Sequence, residues 1–198
     1  MSLDQYGNWQ KYQSKNPLQQ ALITRFLAEV RSLVASLPIR SIADVGCGEG
    51  FVLDMLLTPR PNLTGVGADL DHEALSRGRA LFPNIPFVRA DIRQLPYPAR
   101  SFDLVVCTEV LEHLPDPQVA LREICRVSGR YCLFSVPHEP LFRLSNLIRG
   151  KSITRLGNDI DHLQNWSQAG FIRLLKPYLN LLSIKQSFPW LVVLGEVR

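Results

Sequence analysis

No run of apolar residues in the chain approaches the ~18 that span a bilayer; stretches such as Leu104–Cys107 and Leu191–Leu194 are far shorter, and no transmembrane segment is expected. The first stretch, Met1–Gln20, is polar and aromatic and lacks the basic-then-apolar order of a secretory signal, so the expected compartment is the cytoplasm. Cysteine is scarce. Cys47, Cys107, Cys125 and Cys132 form no CxxC pair and show no metal-type spacing with histidine, so all four are expected to be reduced and structural, and no metal centre is expected. Charge of either sign is sparse too, with 22 Lys+Arg against 18 Asp+Glu for a net +4. That excess is no nucleic-acid footprint without clustering. The one basic cluster is Leu141–Asn158, which holds Arg143, Arg149, Lys151 and Arg155 and no acidic residue. Internal repeats and low-complexity segments are absent. What remains is 198 residues, 46% hydrophobic and 20% charged, the composition of one globular domain over 1–198.

Periodicity divides the chain. Residues 1–16 have no clear period and read as an arm carrying Tyr6, Trp9, Tyr12 and Lys15. Asn16-Pro17 then supplies a helix cap and a first-turn proline, and Leu18, Leu22, Phe26, Val30, Leu33 and Leu37 follow at helical spacing up to Pro38. From there, β-rich runs at Ser41–Val45, Leu63–Ala68, Pro86–Ala90, Phe102–Cys107 and Tyr131–Val136 are apolar at nearly every position, as in strands buried on both faces. Helical segments at Glu49–Leu57, His72–Phe82 and Pro117–Val127 separate them. The alternation predicts a Rossmann-like, doubly wound α/β fold with helices on both faces of a mostly parallel sheet. A helix near Ser167–Leu175 and two β-rich runs, Leu179–Ser187 and Trp190–Val197, close the chain. Only Phe188-Pro189 links those runs, which predicts an antiparallel hairpin, since a parallel pair needs a long crossover.

Ligands of open α/β sheets lie beyond the C-terminal ends of the strands. Those ends are where this sequence is informative. The first strand runs into Asp44-Val45-Gly46-Cys47-Gly48-Glu49-Gly50, the second into Asp69, the third into Asp91-Ile92 and the fourth into Thr108-Glu109. Each alone is ordinary, a tight turn or a helix cap. Four in a row at one sheet edge point to a nucleotide-like ligand, with Asp69 placed to accept from a ribose diol. The loop is GxGxG and not the GxGxxG of dinucleotide sites. The carboxylates of Asp44 and Glu49 around it would repel a pyrophosphate and suit a cationic end, an amino group and a sulfonium.

These residues, with Gly67-Ala-Asp69-Leu-Asp71, Ser101–Cys107 and Glu109-Val-Leu-Glu-His-Leu-Pro115, resemble the successive motifs of class I S-adenosylmethionine-dependent methyltransferases, above all the small type 11 group acting on small molecules and lipids. The resemblance runs from about Ser41 to Pro137 and implies a seven-stranded sheet whose last strand is antiparallel. It implies S-adenosylmethionine as cofactor and S-adenosylhomocysteine as product. By position it implies that Asp44, Gly46, Cys47, Gly48 and Gly50 hold the methionine end, Asp69 takes the ribose hydroxyls, and Leu70 packs on the adenine. Asp91 and the Ile92 amide would read the adenine edge, while Thr108 and Glu109 form the floor near the methionine.

A base is needed only where the acceptor loses a proton. The candidates are His113, the pair His138 and Glu139 after the fifth long strand, and His162 ahead of the last helix. The Asn/Asp-Pro-Pro-Tyr/Phe motif of amino-directed nucleic-acid methyltransferases is missing after the fourth strand, where Thr108-Glu109-Val110-Leu111 stands, so no nucleic-acid partner is expected. The expected acceptor is a small molecule or lipid, anionic if the basic segment contacts it, methylated on O or C. The other reading is a non-catalytic cofactor-binding module or partner subunit. Specificity is expected in the arm and in an insertion at 137–166. The basic segment within the insertion could be a solvated lid face, a contact for an anionic acceptor or a peripheral membrane patch.

Overall fold

The computed structural model describes residues 9, 12–139 and 162–198. The basic cluster with Arg143, Arg149, Lys151 and Arg155, and Tyr6 of the arm, lie outside the described residues.

Helix α1 (Pro17–Ala35) starts where the cap signal placed it: the Asn16 side chain accepts from the amides of Leu18 and Gln19 at 2.9 and 3.3 Å. The chain then alternates through β1 (Ser41–Val45), α2 (Phe51–Leu57), β2 (Thr64–Asp69), α3 (His72–Leu81), β3 (Phe87–Arg89) and β4 (Phe102–Thr108). A 3-10 turn (Leu111–His113), α4 (Pro117–Val127) and β5 (Ser128–Pro137) follow, and α5 (Gln168–Leu175), β6 (Leu179–Ser187) and β7 (Trp190–Val197) complete it. Helix α2 begins two residues later than the periodicity suggested, because Gly50 adopts φ +87° and cannot itself be helical.

The sheet has seven strands in the order β3-β2-β1-β4-β5-β7-β6. Strands β1 to β5 are parallel, while β7 runs antiparallel to both β5 and β6. The strand order reverses at β1, between its neighbours β2 and β4, and the expected binding edge is therefore at the C-terminal end of β1.

Near-continuous apolar strands are explained by two cores. Ile42, Leu104, Val106, Leu133, Val192 and Leu194 face one side with Phe26, Val30 and Val34 of α1, Leu53 of α2 and Leu75 of α3. Their neighbours in sequence, Ala43, Val105, Cys132, Phe134, Leu191 and Val193, face the other with Leu121 and Ile124 of α4 and Phe171 and Leu175 of α5. Period-two alternation of the side chains thus feeds both faces, and the central strands are apolar at nearly every position. The cysteines are free thiols, three of them buried. No helix among the described residues is long and apolar enough to cross a membrane.

Candidate active site

Buried β1 ends at Asp44-Val45, and the chain must then turn sharply into α2. Gly46, Gly48 and Gly50 make this turn with φ +75°, +53° and +87°. The turn is tied to its neighbour strand: the amides of Gly46 and Cys47 donate to the Ala68 carbonyl at 2.7 and 3.2 Å. The Gly48 amide donates to Asp69 Oδ2 at 2.7 Å, and the Asp71 amide to Asp69 Oδ1 at 2.9 Å. Asp69 is therefore fixed in orientation with one backbone donor on each oxygen. A carboxylate has about four acceptor positions, so each oxygen keeps one for a further donor.

Asp44 is the electrostatic centre. It is 1% exposed, and its Oδ1 meets no hydrogen-bond donor among the described residues. Burial, reinforced by the charge of Asp69, pushes its carboxyl up to about 7. Glu49 differs. It too is fully buried, but Arg77 Nε and Nη2 donate to its Oε1 at 3.0 and 2.8 Å. Arg77 thus offsets part of the charge expected from Glu49 at the ligand, although Glu49 Oε2 meets no donor among the described residues; the loop carboxylates without an ion pair among the described residues are Asp44 and Asp69.

The other expected residues line the same edge. Leu70, immediately beyond β2, is 57% exposed. Asp91 is gripped by Arg93, whose Nε and Nη2 reach Oδ1 and Oδ2 at 3.0 and 2.6 Å, and this holds its carboxyl below the usual range. Ile92 is half-buried beside it. Thr108 is buried at the end of β4, and Glu109 follows in a left-handed conformation, φ +59°. A non-glycine residue there is strained, and the strain is held by two bonds to β5: the Glu109 amide to the Ser135 carbonyl and Ser135 Oγ to Glu109 Oε1, both 3.0 Å.

Gly46, Cys47, Thr108, Glu109, Phe51 and Tyr12 line a cleft at this edge. Tyr12 stacks on Phe51 with centroids 4.4 Å apart, and Trp9 approaches the same ring at 6.3 Å. Burial and the charges of Asp44, Glu109 and Glu49 raise the Tyr12 hydroxyl well above its ordinary value, so it stays protonated. The described part of the arm therefore lies against the glycine loop.

The base candidates separate into two groups. His138 and Glu139 follow β5, where the Glu139 amide donates to the Trp166 carbonyl at 3.1 Å; partial burial keeps the His138 imidazole below its ordinary pKa. His113 and His162 come together, their rings 5.2 Å apart.

Residues 43–132 match the family described as a methyltransferase domain. A probable S-adenosylmethionine-dependent methyltransferase of Mycobacterium tuberculosis is 34% identical over 88 residues, 44% of this chain and 31% of that protein. A ubiquinone biosynthesis O-methyltransferase of Hahella chejuensis is 34% identical over 99 residues, 48% of this chain and 41% of that one. The chain thus spans less than half the length of these curated relatives. The crystal structure of a magnesium protoporphyrin IX methyltransferase from Synechocystis with bound S-adenosylhomocysteine has the same fold, with a TM-score of 0.70 at 17% identity over 96% of this chain and 92% of that one. Family match, strand order and glycine loop agree, and together they support a class I S-adenosylmethionine-dependent methyltransferase domain of the type 11 group, matched over residues 43–132.

Proposed function

We propose that the domain transfers a methyl group from S-adenosylmethionine to an oxygen or carbon of a small-molecule or lipid-like acceptor. The observation that carries the reading is Asp44: a buried carboxyl with an orphaned oxygen at the mouth of a glycine turn is costly unless a cationic donor completes it. An α-amino group does so, and the Gly46–Gly50 turn with Cys47 lets the backbone approach a methionine chain closely. Asp69, with one free acceptor position on each oxygen, takes two ribose hydroxyls. Leu70 covers one face of the adenine and the Ile92 amide its edge. For Asp91 to accept from the adenine amine, Arg93 must share or yield, which is inexpensive for an exposed pair. Thr108 and Glu109 form the floor at the reacting end.

When bound, the cofactor supplies a methyl already activated on sulfonium sulfur. The protein's task is to orient the acceptor in line with it. A hydroxyl acceptor would also have to give up its proton to a base of this chain or to water. His138, which follows β5 and whose partial burial favours the neutral imidazole, is the base we assign to that proton, with Glu139 next to it in the chain; His113 and His162 form the second candidate pair. The O-methyltransferase name of the Hahella relative supports oxygen as the attacked atom. Incubation with methyl-labelled cofactor and fractionated cell extract tests turnover. Label in one acceptor fraction supports the reading, and label in none while the cofactor still binds would make the domain a binding module.

A further inference from the structure

Beyond the cleft, the chain brings three metal-type ligands together from two distant segments. The 3-10 turn after β4 carries Glu112, 1% exposed, and His113 at successive positions. His162 joins them from the stretch ahead of α5, and the main chain holds it there. The Leu163 and Gln164 amides both donate to the Glu112 carbonyl, at 2.8 and 3.0 Å. The Gln164 side chain reaches the carbonyls of Leu114 and Pro115 at 3.4 and 3.3 Å. The two imidazoles stand edge to face at 64°. One ligand atom from each of Glu112, His113 and His162 lies within 4.8 Å of the other two.

Two imidazoles and one carboxylate are a donor set for divalent first-row ions and leave coordination positions open. With bonds of about 2.1 Å, ligand atoms on one tetrahedral ion sit about 3.4 Å apart. Closing the triangle from within 4.8 Å therefore asks the ligand atoms to approach one another by at most about 1.4 Å. Glu112 is buried while His113 is exposed, so the cluster has a fixed inner wall and an open outer side. We propose that Glu112, His113 and His162 bind a divalent first-row cation such as Zn²⁺ or Mn²⁺, whose open positions take an oxygen of the methyl acceptor.

The cation site stands on the ligand geometry. Its role toward the acceptor rests on the methyltransferase reading, supported by its place at the same sheet edge: the turn continues directly from Glu109 of the cleft, and the His162 segment leads to Trp166, which bridges His138. A hydroxyl on such an ion is more acidic. It would release its proton to water and attack the methyl as the oxyanion, while the C–S pair leaves to sulfur.

The test is titration of chelator-stripped protein with Co²⁺, read by visible absorption, alongside calorimetry with S-adenosylhomocysteine on the same samples. One Co²⁺ per chain is expected, with His113→Ala and His162→Ala each weakening it at least tenfold while circular dichroism is unchanged. Substoichiometric binding, or affinity that neither histidine variant moves, would overturn the site. Loss of Co²⁺ binding with intact adenosylhomocysteine binding removes the site and leaves the methyltransferase reading standing; the converse removes that reading alone. Labelled-methyl transfer abolished by chelator and restored by Mn²⁺ or Zn²⁺ supports the acceptor role, and transfer indifferent to chelator overturns it.

Discussion

The amide of Gly48 donates to Asp69 Oδ2 at 2.7 Å, so the loop that ends β1 and the carboxylate that ends β2 are a single unit. The bond orients the carboxylate, and the φ of +53° at Gly48 permits the amide to point at it. A change to either residue therefore disturbs both.

Asp69→Ala is expected to weaken S-adenosylhomocysteine binding by roughly 1–3 kcal/mol, the usual cost of losing a charged hydrogen-bond partner. Isothermal calorimetry on the variant checks it. Affinity equal to that of the unaltered protein would reject Asp69 as the ribose acceptor.

Gly46→Ala is expected to destabilise the fold. At φ +75° a Cβ would lie 2.3 Å from Val110 Cγ2, an impossible contact unless Val110 moves. Left-handed backbone and overpacking together give a loss of roughly 2–4 kcal/mol in a urea melt. Adding Val110→Ala should recover part of the loss by relieving the contact, whereas no recovery would place the cost in the backbone alone.

Asp44 makes both stability and cofactor affinity pH-dependent, in opposite senses. Its folded value of about 7 lies above the unfolded 3.8, so the folded state binds more protons between them, and stability falls as pH rises through that window. Asp44→Asn is accordingly expected to raise apo stability by about 1–3 kcal/mol at pH 8 and hardly at all at pH 4. A cationic amino group favours the ionised form, so cofactor affinity should increase from pH 6 towards pH 8 and level off above. Calorimetry in buffers of different ionisation enthalpy should show a proton released on binding near pH 7. Uptake of a proton would contradict the placement of Asp44.

Tyr12 lies over Phe51 and beside the glycine loop. Tyr12→Ala should speed adenosylhomocysteine dissociation by about 2–10-fold, the worth of one aromatic pair, with Tyr12→Phe retaining most of the effect of the ring. Stopped-flow measurement of release decides it. Identical rates in all three proteins would mean that the arm rests on its own domain without covering the ligand.

How far the sequence could be read follows from which relations are local. The GxGxG turn, Asp69, Asp91 and Thr108-Glu109 are each announced by the strand that precedes them, because a parallel sheet delivers all such ends to one edge. The two-sided burial of β4 and β5 is likewise visible as unbroken apolar runs. Compensation of Glu49 was not visible. Arg77 lies on α3, and only the docking of that helix against the loop brings the two together. The same holds for His162, which reaches Glu112 and His113 through main-chain bonds between distant segments, where a spacing rule has nothing to count. The left-handed Glu109 had no signal either, because its strain is held by Ser135 on the neighbouring strand.

Calorimetric titration of the protein with S-adenosylhomocysteine, with NADH as the competing nucleotide, tests the central claim most directly. Saturable binding of one adenosylhomocysteine per chain is expected, lost in Asp44→Ala and weakened in Asp69→Ala, with no heat from NADH. Binding of NADH in its place, or adenosylhomocysteine binding that neither substitution changes, would contradict the account.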